Sequence, residues 1–309
     1  MRKTITIFLA LFLTALAIPG ISGESLQTKL IPAETKWLIH IDVEKFAQTE
    51  LRQILEEKSK NDFGQEIMGI EKKTGIDFFR DISAVTVIGM NKKNKEPVVA
   101  VSGSLDKSHL LGLLKEEESA NEFNYGNFLI YTWDDEGFGV FADDSLLIFS
   151  ENRNGLEKVL DTFSGKGKNF SDTPLQKQLK SLSPNTFLIA TADNISEMLG
   201  DDDDDFGALI LKKTESAFFS VDEQNRKVRV LMSLQTDSLE TAANMKSMVT
   251  GLKAFLSMND KIDPEWDIVK SLTVSTKGSA VLVESQGSVE ELLNIILGKR
   301  FPGVNLFNE

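Results

Sequence analysis

The sequence predicts an α+β fold in two layers, with a mainly antiparallel sheet, helices packed on one face of it, and an internal duplication. Three observations lead to this prediction. Short apolar runs are joined by tight polar turns, which is typical of hairpins, and hairpin strands pair antiparallel. Helical patterns follow the hairpins and must pack on a sheet to bury their apolar sides. In addition, one stretch of the chain recurs.

The recurring stretch covers nearly thirty residues. Residues 272–298 lie over residues 139–165 at a shift of 133 positions without a gap, and both copies close on a glycine, Gly298 and Gly165. Ile148 and Val281 occupy the same place in the two copies. Matching turn, strand and helix positions over this length predict an internal duplication. The two halves are expected at residues 24–165 and 166–309.

Residues 1–23 are expected to form a cleaved secretory signal peptide. Arg2 and Lys3 make a basic start, and residues 5–18 are apolar without a charge. This run falls short of the roughly 20 residues that span a bilayer, which disfavours the alternative of an uncleaved anchor. The sequence therefore predicts a periplasmic or extracellular protein with no transmembrane segment after cleavage.

The first half opens with a buried-strand pattern from Trp37 to Ile41. Asp42 is placed to cap a helix over residues 43–58, and a second short helix over residues 63–74 ends at Gly75. The rest of this half is predicted to contain a hairpin over residues 83–88 and 97–101, a helix capped by Asp106, strand residues 128–133, a hairpin with its turn at residues 143–145, and a helix over residues 152–163.

The second half is predicted to follow the same order. Its first strand, residues 187–193, comes after Pro184 and Thr186, just as the strand of the first half comes after Pro32 and Thr35. A hairpin with its turn at residues 222–225 then precedes a helix that Asp237 is expected to cap, with Glu240 completing a capping box. That helix carries an apolar stripe made of Met245, Met248, Val249, Leu252, Phe255 and Leu256.

Composition excludes some partners. The chain carries a formal net charge of −13, and a surface this acidic repels phosphate backbones and anionic lipid headgroups. We therefore expect no nucleic-acid partner. Apolar residues make up 41% of the chain, which is enough for a sizeable core.

Few residues are available for catalysis. The chain has no cysteine, which excludes thiol nucleophiles, thiolate metal sites and disulfides. Of its two histidines, His40 lies in the middle of a strand and is expected to be a hydrogen-bonded structural residue, whereas His109 lies in the first turn of a helix and is expected at the surface. The signatures G-x-S-x-G and H-E-x-x-H are absent. No catalytic, cofactor-binding or metal-binding residue is assigned, and no cofactor is expected.

Acidic and glycine-rich runs have structural interpretations. Asp201 to Asp205 precede Phe206 and Lys212, where an EF-hand loop would need glycine and glutamate, so a solvated acidic loop is expected, with weak calcium binding as the alternative. The pairs Asp134-Asp135 and Asp143-Asp144 are expected in turns, although sequence alone does not exclude a catalytic carboxylate pair. Residues 165–168 lack the spacing of a phosphate loop and are interpreted as a linker between the halves.

Three motifs carry a resemblance. They are LIPAET at residues 30–35 before a strand and Asp42, the helix opening Thr173-Pro174-Leu175, and DDSLLIF at residues 143–149 before a helix. With them the chain resembles exported bacterial proteins that carry a duplicated α+β domain of unknown function. The resemblance covers most of the chain after the leader and implies export from a bacterium. It brings no catalytic residue.

These observations favour an exported, non-enzymatic protein that acts as a binding or envelope-associated module. Its expected partner is an unidentified protein or a small apolar ligand. One alternative is a carrier of a lipid or small apolar ligand, which an apolar groove between helices and sheet could hold, although twenty phenylalanines against two tyrosines favour aromatic residues buried for core volume. A second alternative is a hydrolase that uses carboxylates.

Overall fold

The computed structural model describes residues 26–58, 69, 71–90, 96–116, 119–134, 137–170, 179, 182–195, 210–257 and 271–289. Its strands are β1 (Trp37–Asp42), β2 (Ile82–Gly89), β3 (Val98–Gly103), β4 (Asn121–Tyr125), β5 (Phe128–Trp133), β6 (Gly137–Asp143), β7 (Leu146–Ser150), β8 (Thr186–Asp193), β9 (Ser216–Gln224), β10 (Lys227–Gln235), β11 (Thr273–Lys277) and β12 (Ala280–Ser288). Its helices are α1 (Val43–Ala47), α2 (Glu50–Lys58), α3 (Phe78–Asp81), α4 (Lys107–Lys115), α5 (Arg153–Phe163) and α6 (Leu239–Ser257).

All twelve strands belong to one sheet. Their order is β11-β12-β10-β9-β8-β1-β2-β3-β7-β6-β5-β4, and every neighbouring pair is antiparallel. The predicted fold class is thus confirmed: the protein is α+β with a mainly antiparallel sheet. Strands from both halves of the chain share that sheet, and β1 pairs with β8 at its centre.

The strand order is the same on the two sides of this central pair. Moving outward from β1, the sheet continues with β2, β3, β7 and β6, and moving outward from β8 it continues with β9, β10, β12 and β11. Strands β5 and β4 extend the first side only. The predicted duplication agrees with this order, and it stays a prediction.

The register separates the two faces of the sheet. Leu38 lies opposite Ile88 on one face, here called the Leu38 face, and Ile41 lies opposite Val85 on the other, the Ile41 face. Helix α5 packs on the Leu38 face, where Leu156 belongs to the same core as Leu38 and Ile88. Helix α3 packs on the Ile41 face. Helices α1 and α6 also pack on the Ile41 face, with Phe46 against Val221 and Val228, and Met245 against Leu234 and Val281.

Helices therefore cover both faces, whereas the sequence predicted helices on one face. The reason lies in the central strands. In β2, the consecutive residues Ala84, Val85, Thr86, Val87 and Ile88 are all buried, so side chains pointing in both directions need cover. A strand buried on both faces reads as a continuous apolar run rather than as an alternating one.

The helix predicted over residues 43–58 is two helices. Asp42 caps the first as expected, accepting a hydrogen bond from the Lys45 backbone N–H at 2.9 Å. Thr49 then starts the second, because its hydroxyl oxygen accepts from the Arg52 N–H at 3.1 Å and its O–H donates to the Phe46 carbonyl at 2.6 Å. The two bonds end one helix and cap the next within a single turn.

Helix α6 differs from its prediction at both ends. Its cap is Ser238 rather than Asp237, since the Ser238 hydroxyl oxygen accepts from the Thr241 N–H at 3.1 Å and the Ser238 carbonyl accepts from the Ala242 N–H at 3.1 Å. Among the described side chains of its apolar stripe, only Met245 is buried, at 3% exposed, whereas Phe255 is 68% exposed. Among the described residues, Ala242 and Met245 in the first turns of the helix form its buried contact with the sheet.

The structure also bears on the predicted helix end at Gly75 and on the predicted turn at residues 222–225. Gly75 ends a helical stretch at residues 71–74 with φ +68°, as a C-cap would, while residues 61–68 and 91–94 lie outside the described part of the chain. The hairpin turn predicted at residues 222–225 is displaced to Asn225 and Arg226, because β9 and β10 are longer than expected. Among the described residues, no helix is both long enough and apolar enough to cross a membrane. The predicted signal peptide, residues 1–23, lies outside the described residues.

Candidate functional site

A cleft of about 300 Å³ lies on the Leu38 face, over the central β1–β8 pair. In the register of that pair, His40 lies directly opposite Ile189, so one residue from each half lines the same cleft. The lining residues within the described part of the chain are Leu26, Thr28, His40, Asp42, Lys45, Leu179, Leu182, Ser183, Thr186 and Ile189.

His40 is buried at the base of this cleft, with 3% of its surface exposed. It faces Thr86 across the β1–β2 pair, and its Nδ1 lies 2.9 Å from the Thr86 hydroxyl oxygen. Burial and, to a lesser degree, the positive charge of Lys45 lower the pKa of His40 to about 3. The imidazole is therefore neutral at physiological pH, and the hydrogen bond predicted for it is present.

Asp42 and Lys45 are the charged residues among the described residues that line the cleft. The Asp42 side chain is 2% exposed, and the Lys45 ammonium nitrogen lies 3.0 Å from its Oδ2. Its Oδ1 accepts the Lys45 backbone N–H, which begins α1. A carboxylate this deeply buried requires a nearby positive charge, and Lys45, whose side chain is 34% exposed, provides it from the more open side.

Thr186 contributes a hydroxyl group that has no hydrogen-bond partner. The residue is 4% exposed, and its Oγ1 is buried and makes no hydrogen bond among the described residues. Its backbone N–H, by contrast, donates to the Ser183 carbonyl at 3.0 Å and closes the turn that leads into β8. The hydroxyl is the polar group that this turn leaves unpaired.

Thr35 is a useful internal comparison. It occupies the same place in the turn before β1, where its backbone N–H donates to the Pro32 carbonyl at 3.1 Å. Its hydroxyl is likewise buried and unpartnered, yet Thr35 does not line the cleft. The two threonines thus share a local geometry and differ in what surrounds the hydroxyl.

Apart from His40, the candidate residues of the sequence that the structure describes do not line the cleft. His109 is exposed in the first turn of α4, as predicted. Asp143 is the last residue of β6, next to the turn at Asp144 and Ser145, and accepts from the Ser145 N–H at 2.9 Å. Asp134 accepts from the Ser119 hydroxyl at 3.1 Å. The linker glycine Gly165 follows α5 with φ +77°. Asp135 and residues 201–205 lie outside the described part of the chain.

Metal-binding groups are not gathered in the described residues: nowhere in them do three or more histidines, aspartates or glutamates come together as ligands for an ion. Sequence reasoning also missed Lys45, Ser183 and Thr186 as residues of one cleft. For Ser183 and Thr186 the signal was the proline-threonine turn repeated before both first strands, and it indicated a fold rather than a site.

Comparison with solved structures finds chains of similar fold. Crystal form III of TP0453, a bacterial protein, matches with a TM-score of 0.54 at 10% identity, covering 90% of this chain and 98% of that one. Crystal form I matches with a TM-score of 0.51 at 10% identity, covering 88% and 97%, and form IV with 0.51 at 11%, covering 89% and 97%. No protein-family model and no curated protein sequence matches. At this identity the likeness shows that the two proteins share a fold.

Proposed function

We propose that this chain is an exported, non-enzymatic binding protein that holds a small, mostly apolar ligand in the cleft over β1 and β8. The observation that carries the proposal is the cleft itself, whose wall of Leu26, Leu179, Leu182 and Ile189 surrounds a few polar groups. Small-molecule sites in proteins have this composition, and about 300 Å³ is at the small end of their range.

The state of the polar groups supports binding over catalysis. His40 is neutral and its Nδ1 is engaged with Thr86, which leaves it a poor general acid. Asp42 is the one carboxylate among the described lining residues, and it is tied to Lys45. A hydrolase of the two-carboxylate type would need a second acid in the cleft. These features favour the carrier hypothesis over the hydrolase hypothesis.

The proposal also includes export of the protein and an internal duplication of its chain. Export is supported by the basic and apolar character of residues 1–23 and by the resemblance to exported bacterial proteins. Duplication is supported by the 133-residue repeat and by the identical order of strands on the two sides of the β1–β8 pair. On this proposal the two halves, residues 24–165 and 166–309, meet at the ligand site.

Native mass spectrometry tests the binding function. The mature protein, purified from the exported fraction of its own cells, is weighed before and after denaturation, and we expect an additional mass that denaturation removes. The variant Ile189→Phe enlarges a side chain that lines the cleft and should lose this mass. Leu188→Phe makes a similar change at the neighbouring position of β8, on the Ile41 face, and should retain it. A bare wild-type chain, or equal retention by both variants, would contradict the proposal.

A further inference from the structure

The edge of the sheet at β4 is exposed. β4 is the last strand in the sheet order, and among the described strands it pairs with β5 alone. Its residues Asn121, Glu122 and Asn124 are exposed. Proteins commonly protect such an edge with a lysine, a proline or a bulge. β4 contains neither of these residues, and its register with β5 is unbroken from Asn121 to Tyr125.

The hairpin determines which backbone groups of β4 face this edge. Tyr125 and Phe128 pair across a two-residue turn, and residues that flank such a turn exchange both of their backbone hydrogen bonds. Because the bonding alternates along an antiparallel strand, Phe123 also bonds toward β5, whereas the N–H and C=O groups of Glu122 and Asn124 point outward. Each of these two residues therefore offers a donor and an acceptor to an added strand.

Helix α5 holds this edge strand from the Leu38 face, where Phe123 and Tyr125 pack against the core. Cζ of Arg153 lies 4.3 Å from the centre of the Phe123 ring, and Nε of Arg153 donates to Glu157 at 2.7 Å. The Tyr125 hydroxyl donates to Asp161 at 2.9 Å. A strand that is already fixed in this way loses little conformational freedom when a partner strand is added, which favours association.

A second copy of β4 complements this edge in one register. When two β4 strands pair antiparallel about a two-fold axis at Phe123, Glu122 of each copy lies opposite Asn124 of the other, and the outward N–H and C=O groups of both residues are bonded. The Asn124 amide can then donate to the Glu122 carboxylate. An axis at Glu122 would place two carboxylates directly opposite each other, which is unfavourable. An axis at Asn124 would place Glu122 opposite Gly126, where the strand has ended.

We propose that β4 is a self-association edge, through which two copies of the chain join their sheets in the register centred on Phe123. The inference goes beyond the proposed function and does not depend on the ligand cleft, because none of the residues of β4 lines it. An interface built on one short strand is at the small end of the known range, so the dimer is expected to be weak, with a dissociation constant in the micromolar range or above.

Sedimentation velocity of the mature protein over a series of concentrations, in about 0.15 M salt to screen the repulsion between two acidic chains, tests this proposal. We expect a monomer–dimer equilibrium. Asn124→Glu places carboxylates opposite each other at two symmetric positions and should weaken the dimer about tenfold. Combining it with Glu122→Lys places opposite charges there and should restore the dimer. Asn121→Glu is the matched control, because it adds the same charge to an exposed residue that lies opposite Tyr125 in this register, and it should have little effect.

Three results would overturn the proposal. The first is a wild-type chain that stays monomeric up to near-millimolar concentration. The second is an equal effect of Asn124→Glu and Asn121→Glu, which would indicate general charge repulsion or a different surface. The third is a double variant that dimerises no better than Asn124→Glu alone. All three substituted residues are exposed, and circular dichroism confirms that each variant is folded before sedimentation.

Discussion

The carboxylate of Glu223 should hold the start of helix α2 against strand β9. Glu223 lies at the end of β9, and its two oxygens accept the backbone N–H groups of Glu50 at 2.8 Å and Leu51 at 3.0 Å, at the start of α2. A second bridge joins the same elements, because Arg226 donates to Glu50, with 2.9 Å between Nε and Oε2. These hydrogen bonds therefore link residues that are more than 170 positions apart in the chain.

Its contribution can be worked out from these contacts. A side chain that caps a helix N-terminus contributes about 0.5–2 kcal/mol, and a negative charge there adds about 0.3–1 kcal/mol through the helix dipole. The Arg226 pair is exposed and adds little. We expect Glu223→Ala to lower the free energy of unfolding by about 2 kcal/mol, and Glu223→Gln, which keeps one acceptor oxygen, to lower it by about half as much.

Urea unfolding followed by circular dichroism measures this difference on the mature chain. Glu122→Ala is the matched control, because Glu122 is an exposed residue of the edge strand β4 and its loss should change stability by less than about 0.5 kcal/mol. If Glu223→Ala is as stable as Glu122→Ala, the carboxylate does not hold α2 to the β9–β10 hairpin, and the reasoning fails.

Two further predictions concern the sheet. A Cβ on Gly89 would lie 1.8 Å from Cε2 of Trp37, so Gly89→Ala should lower the free energy of unfolding in urea by about 1–3 kcal/mol. As a control, Gly112→Ala places a Cβ in open space and should stabilise α4 by about 0.5–1 kcal/mol. Equal effects of the two substitutions would argue against the packing of Trp37 on Gly89. The second concerns pH. Folding lowers the pKa of His40 from 6.5 to about 3, so the neutral imidazole contributes stability above pH 6.5 that is lost as the pH falls toward 3, about 2 kcal/mol of it between pH 7 and pH 5. His40→Gln should remove that part of the pH dependence and the exposed His109→Gln should not; parallel curves for both variants would contradict the burial of a neutral His40.

The elements that could be predicted from sequence are those whose signal is local. Strand β1 reads as an apolar run closed by Asp42, and Gly75 marks the end of a helix through its positive φ. Asp42 was placed correctly as a cap because its oxygen reaches an N–H three residues ahead. Patterns of this kind depend on neighbours within one turn of helix or one hairpin, and the sequence displays those neighbours directly.

The features that sequence missed depend on contacts between distant residues. The break before α2 is reinforced by Glu223, which no local pattern connects to Glu50. The exposure of Phe255 in α6 depends on which distant residues pack on the helix, and the amphipathic stripe alone does not show this. Helices on both faces follow from the depth of β2 within a twelve-stranded sheet, and the width of that sheet was not visible in the sequence.

The cleft is the clearest feature that depends on contacts between distant residues. Each of its residues also has an ordinary local role, so none of them stood out in the sequence. His40 lies in a strand, Thr186 in a turn and Lys45 in a short helix, and each has a local structural role: a cross-strand hydrogen bond, a closed turn and an ion pair with a helix cap. They meet only because β1 pairs with β8, which brings Ile189 opposite His40. A ligand in the cleft would therefore contact both halves at once. Binding would stabilise the native chain in proportion to the logarithm of ligand concentration, so the strength of the central pair and occupancy of the site would be thermodynamically linked.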